Sequence, residues 1–189
     1  MTEAHSPTEA APVEALDIRE KGAPSPKDGQ PQRLNRRLFM QLQAFGGCAS
    51  SEALAKVLSQ AGLEAVLYED INDPKGIAVL LMSESPDFLA TQARQVLNQG
   101  PFAPLIHKPE YSMLGRTYSL GYEPNLEDWL LNKPRRAVLD PACSWAVWYP
   151  LRRQGSFALL SRQEHGQVLK EHGIIGRSFG EADLAKDVR

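Results

Sequence analysis

The residues of this chain best suited to chemistry lie in WYPLRRQGSFALLSRQEHGQVLKEHGIIGR, Trp148 to Arg177, where a tyrosine and two arginines precede a helical run that carries two histidines. Ser161-Arg162-Gln163-Glu164 reads as a capping box, which fixes where that helix starts. Counted from there, His165, Val168, Leu169 and His172 fall at i, i+3, i+4 and i+7, so both imidazoles share one apolar stripe expected to face inward or toward a cleft. Arg162, Gln163, Gln167 and Lys170 turn away from it. His172 is expected in the last helical turn, just before Gly173, with its ring projecting past the helix end. A ligating imidazole must be neutral, with one nitrogen free and the other held by an acceptor, and Glu164 and Glu171 are the acids at hand. Two histidines without a third donor at short spacing make a poor zinc site. One axial imidazole over an apolar pocket is instead what haem iron requires. The plainer reading is that each imidazole satisfies a nearby carbonyl at the edge of a core.

Other elements must hold this segment in place. The chain has 189 residues and is 42% hydrophobic, enough for one large domain or two small ones with a buried core. Residues 1–32 are rich in Pro, Ala, Glu and Ser without periodicity and are expected to form a disordered tail. An N-terminal domain follows over residues 33–123. In it Leu38, Met40, Leu42 and Ala44 alternate as a half-buried strand. Ser51 is the expected cap of a helix with Leu54, Val57, Leu58 and Ala61 on one side, ended by Gly62. Residues 65–71 and 77–82 are β-rich runs joined by Asn72-Asp73-Pro74-Lys75-Gly76, which has hairpin chemistry. Ser85-Pro86-Asp87 opens a second helix that stops at Gly100. Tyr111 to Tyr122 is the expected fourth strand. The fold class read from this order, β-α-β-β-α-β, is α+β, a ferredoxin-like unit. Residues 124–141 read as a linker helix. Residues 142–189 read as the start of a second ferredoxin-like domain, with Ser144 to Leu151 as its first strand. This second unit is expected to be either a fragment or completed by another chain, since finishing it would take on the order of 50 further residues.

Bulk properties exclude several classes. A formal net charge of -2 gives no broad attraction to phosphate backbones, and the pairs Arg36/Arg37, Arg135/Arg136 and Arg152/Arg153 are scattered, so no nucleic-acid partner is expected. Cys48 and Cys143 lie far apart and imply neither a zinc knuckle nor a disulfide framework. The N-terminus lacks the basic and apolar regions of a secretory signal, and the longest apolar run, Ile77 to Met82, is too short to span a bilayer. A cytoplasmic location is expected.

Trp148-Tyr149-Pro150-x-x-Arg153, an aromatic position after it, and a helix closing in Glu171-His172-Gly173-x-x-Gly176-Arg177 together resemble the chlorite dismutase family of haem proteins, and within it the coproheme decarboxylases that make haem b. The resemblance covers Trp148 to Phe179. It implies a fold of the dimeric α+β barrel type, with the second ferredoxin-like unit binding haem and the chain forming a homo-oligomer, often a pentamer. It makes His172 the proximal iron ligand, Tyr149 the catalytic residue that becomes a radical, and Arg153 the cation for a porphyrin propionate. Arg152, Leu151 and Phe157 become further contacts to the tetrapyrrole. In the implied reaction hydrogen peroxide oxidises bound iron coproporphyrin, the tyrosine is oxidised in turn, and it takes hydrogen from two propionates, which lose carbon dioxide and become vinyls. Iron coproporphyrin is then both cofactor and substrate. The residue types suit this, since a phenol can give up an electron and a proton and a guanidinium fork matches a carboxylate.

The chain also departs from the family. Leu151 stands where some decarboxylases have methionine, and Phe157 where tryptophan is usual. The distal polar residue that separates decarboxylases from chlorite-splitting members has no match in Gly180 to Arg189. A chlorite dismutase, turning chlorite into chloride and dioxygen, and a haem-binding module without turnover therefore stay open as alternatives. Trp145, Trp148, His107 and Arg116 read as structural residues.

Overall fold

Strand β3 (Phe39–Gly46) is the axis on which a computed structural model, describing residues 16–148 and 154–184, builds the main sheet. It pairs antiparallel with β5 (Ile77–Ser83) on one side, and on the other with β6 (Ile106–His107) and β7 (Met113–Arg116). β4 (Ala65–Glu69) pairs antiparallel with the far side of β5. Strand alternation sorts the side chains onto two faces. Phe45 pairs with Ile77 and Gln43 with Val79, so these share one face. There Phe45, Ile77, Val79 and Leu81 pack with Leu54 and Leu58 of α1 (Ser51–Gln60) and with Leu89, Ala93 and Leu97 of the helical segment 86–97. Leu38, Met40, Leu42 and Ala44 do alternate onto a common face, the opposite one, and Leu38 and Met82 pack there with Leu126, Leu130 and Leu131.

Local chemistry explains the element ends. The cap of α1 is Ser50, one residue before the expected Ser51, because the Ser51 hydroxyl instead donates to Glu69 at 2.6 Å. Gly62, at φ 65°, closes the helix. Ser85 caps the second helix, which runs from α2 (Pro86–Phe88) through a π turn (Leu89–Ala93) into α3 (Arg94–Leu97). Between β4 and β5 a side chain at Gly76 would strike Asp70 Cβ and Asp73 Cβ at 2.8 and 2.9 Å, so this turn requires glycine.

The span expected to be a disordered tail carries structure. β1 (Glu20–Pro24) and β2 (Pro31–Leu34) form an antiparallel hairpin. Composition missed it because polar pins rather than apolar burial hold it in place. Glu20 pairs with Arg37 and Arg116, each at 2.7 Å, and accepts from the Ser119 amide. The Gln32 side-chain amide donates to the carbonyls of Ala23, Glu123 and Pro124. Buried Glu123 in turn accepts from the amides of Leu120 and Gly121. The expected fourth strand shrinks to Met113–Arg116, because Ser119 is drawn to Glu20 and the chain turns at Gly121, φ 98°.

The expected architecture, a ferredoxin-like unit followed by the opening of a second one in a dimeric α+β barrel, is corrected. The fold is α+β, but among the described residues no sheet closes into a barrel: the five-stranded sheet is open, ending at β4 on one side and at β6 and β7 on the other. A π turn (Asp128–Asn132) and α4 (Lys133–Leu139) occupy the linker span. Beyond it, Ser144 to Trp148 form no strand, since no partner among the described residues takes up their backbone donors and acceptors. The last two elements are helices, α5 (Gly155–Ala158) and α6 (Arg162–Leu184). By internal packing the chain divides into two units, Met1–Ala146 and Val147–Arg189.

Candidate functional site

Within the second unit the start of α6 is built as its sequence requires. The Ser161 hydroxyl accepts from the Glu164 amide at 3.3 Å, and the Glu164 carboxylate accepts from the Ser161 amide at 2.8 Å. Hydrogen bonds to the carboxylate from the Ser161 hydroxyl and the Ser161 amide hold the Glu164 carboxyl below its ordinary pKa. Replacing Ser161 by alanine is expected to cost α6 about 1 kcal/mol. Thermal melts followed by helical circular dichroism check this, and an unshifted melt would show the cap to be dispensable.

The end of α6 differs from expectation. Gly173 keeps helical backbone, outside the positive-φ glycines, and the helix continues to Leu184. A glycine ends a helix by turning to positive φ; left in the interior it only lowers stability, by about 1 kcal/mol relative to alanine. His172 therefore sits on the flank of a continuing helix, with its ring exposed. The stripe around it is also open to solvent instead of buried: Val168 is 42% exposed and Leu169 47%.

The two imidazoles differ in what they are doing. His165 is engaged: its Nε2 bonds the Phe157 carbonyl, and its ring stacks on the half-buried Phe157 ring at 4.5 Å between centroids and 26° between planes. His172 makes no hydrogen bond or ion pair among the described residues. Neither acid orients it, because Glu164 serves the cap and Glu171 accepts from Gln167 Nε2 at 2.8 Å. Around His172, at i−4, i−3, i+3 and i+4, stand Val168, Leu169, Ile175 and Gly176. Three apolar side chains and one bare backbone position thus frame an unengaged imidazole.

Of the residues singled out from sequence, Phe157 and His172 fall on α5 and α6. Tyr149, Leu151, Arg152 and Arg153 lie outside the described residues. Among the described residues no group of three or more His, Cys, Asp or Glu side chains could hold a metal ion. No helix among the described residues is long and apolar enough to cross a membrane. Arg116 is tied to Glu20, and His107 bonds Ser112 Oγ at 2.9 Å beside the Phe45 ring.

Sequence reasoning passed over a cleft of about 360 Å³ at the start of α1, lined by Cys48, Ser50, Ser51, Glu52, Glu69 and Asp70. Gly46-Gly47 ahead of Cys48-Ala49-Ser50-Ser51 was the available signal. The cleft does not read as an anion site, because carboxylates already face the helix start and Glu69 accepts from Ser51.

No family model matches the chain, and none of the curated proteins does. Among solved structures the chain is similar to a protein from Chloroflexus aurantiacus J-10-fl described as an antibiotic biosynthesis monooxygenase, at 17% identity and a TM-score of 0.28, over 44% of this chain and 94% of that one.

Proposed function

We propose that this chain binds an iron porphyrin through the imidazole of His172 and catalyses the peroxide-dependent oxidative decarboxylation of iron coproporphyrin III to haem b. The observation that carries the binding step is the contrast on one helix stripe: His165 is spent on Phe157, whereas His172 is unengaged and framed by Val168, Leu169 and Ile175. A single imidazole in apolar surroundings suits an iron whose remaining ligands are ring nitrogens. When bound, the iron porphyrin supplies oxidising power drawn from peroxide.

The chain's own residues supply the rest. His172 would hold the iron, and Val168, Leu169 and Ile175 would offer apolar contact to the bound ring. Arg153 and Arg152, by their type and by the family resemblance, are the cations for propionates, and Tyr149 is the phenol able to pass on a hydrogen atom. For each propionate the balance is one peroxide and one proton consumed, with one carbon dioxide, one vinyl group and two waters formed.

The test is to load the purified chain with iron coproporphyrin, add peroxide and follow product mass. Stepwise loss of two carboxyl groups is the expected result. A porphyrin that binds through His172 but keeps all four carboxyl groups would retire the decarboxylase and leave a haem-binding module.

A further inference from the structure

One edge of the main sheet, β7, lacks a neighbour on its outer side. Its backbone alternates in what it faces. The Thr117 amide donates to the Leu38 carbonyl at 2.9 Å, so Gly115 and Met113 are the residues bonded to β3, and the amides and carbonyls of Leu114 and Arg116 point outward. Among the described residues no strand and no other hydrogen bond takes these groups up. A row of unpaired groups is a template for another strand, which natural edges blunt with charge or proline. Here neither device operates. Arg116 carries the only charge on β7, and Glu20 neutralises it at 2.7 Å. The opposite edge, β4, has half-buried apolar side chains between Glu64 and Glu69.

The surface along β7 is also apolar. Ile106, Tyr111, Met113, Leu114, Tyr118 and Leu120 are each 48% to 69% exposed. At about 200 Å² for a large side chain in full, these six leave on the order of 600 Å² open. A stable interface takes about 800 Å² from each partner, so this patch with its backbone edge comes close to what a dimer needs.

We propose that β7 is a homodimer interface, on which β7 of a second copy docks antiparallel across a two-fold axis and joins two five-stranded sheets into one. The outward groups allow three registers about such an axis. Arg116 opposite the partner's Arg116 sets like charges together, and Leu114 opposite the partner's Arg116 pairs an apolar with a charged side chain. The third sets Leu114 opposite the partner's Leu114, which exchange both backbone hydrogen bonds, with Arg116 opposite the partner's Ser112. In that register the partner's Met113 lies over Gly115, where a side chain would meet no atom within 4 Å. The third register is therefore the one assigned.

The test is sedimentation of the full chain at about 1 and about 100 μM, where a dimer that dissociates on dilution is expected. Proline at 114 removes only an outward amide and leaves the β3 ladder whole. Leu114→Pro should thus raise the dimer Kd at least about tenfold with circular dichroism unchanged. Leu114→Lys, which sets two like charges across the axis, should do the same and carries the test if the proline variant loses structure. Leu159→Lys, at an 87% exposed position away from the edge, should dimerise as the unsubstituted chain does. The Leu114 and Arg116 amides should exchange slowly with deuterium in the dimer and fast in the monomer.

A chain that stays monomeric at the higher concentration, or a dimer that Leu114→Lys leaves intact, would overturn the proposal. Slow exchange of the Leu114 and Arg116 amides in a monomer would overturn it too, because the edge would then be covered from within one chain.

Discussion

Replacing His172 by alanine should weaken ferric porphyrin binding at least about 100-fold, or roughly 3 kcal/mol, and abolish the red-shifted Soret band of the histidine-bound iron. His165 is the sharp comparison. It shares the stripe, but its Nε2 bonds the Phe157 carbonyl and its ring stacks on Phe157. His165→Ala should therefore cost about 1 kcal/mol of the packing between α5 and α6 and leave the Soret band in place. Should His172→Ala keep the band while His165→Ala loses it, the imidazoles have been assigned the wrong way round.

The second large effect belongs to Glu20. Its side chain is only 10% exposed and meets the Arg37 guanidinium, itself 17% exposed, at 2.7 Å. Burial by itself would raise the carboxyl pKa, but hydrogen bonds from the Ser119 amide, Arg37, Arg116 and the Ser119 hydroxyl outweigh it and bring the pKa down to about 2. A carboxylate whose pKa is depressed on folding stabilises the fold fully above its unfolded value near 4.5, and this contribution is lost as pH falls toward 2. The shift corresponds to about 3 kcal/mol. Glu20→Gln should lower unfolding stability by about that amount at pH 7, because Arg37 is left without its counter-charge. Urea titrations of both proteins should show the gap closing between pH about 5 and about 2. A gap that stays constant with pH would mean that the loss comes from packing and not from charge.

The two residues show how differently sequence can inform. His172 was legible because helical periodicity put it on an apolar stripe and the capping box set the count, and the box does form. Its freedom and the engagement of His165 were not legible, since the Phe157 carbonyl that takes one imidazole and not the other lies in a separate helix. Glu20 could not be found at all. It pairs with Arg37, Arg116 and Ser119, the last two far along the chain, and the compositional test for disorder asks only about apolar burial. Gly173 misled for a related reason: glycine permits a helix to end without requiring it to, and here the backbone stays helical.

By itself the sequence determined the local elements. Alternation placed β3, β-rich runs joined by a turn sequence marked the β4–β5 hairpin, and Ser85-Pro86 and Gly62 set helix ends, because strand period, caps and turns depend on residues a few positions apart. Only the tertiary structure decided that the N-terminal span folds back as a hairpin, that Ser144–Trp148 pair with nothing among the described residues, and that the sheet stays open. Each of these turns on a partner distant in sequence, and the free energy of such a pairing is written at neither position alone.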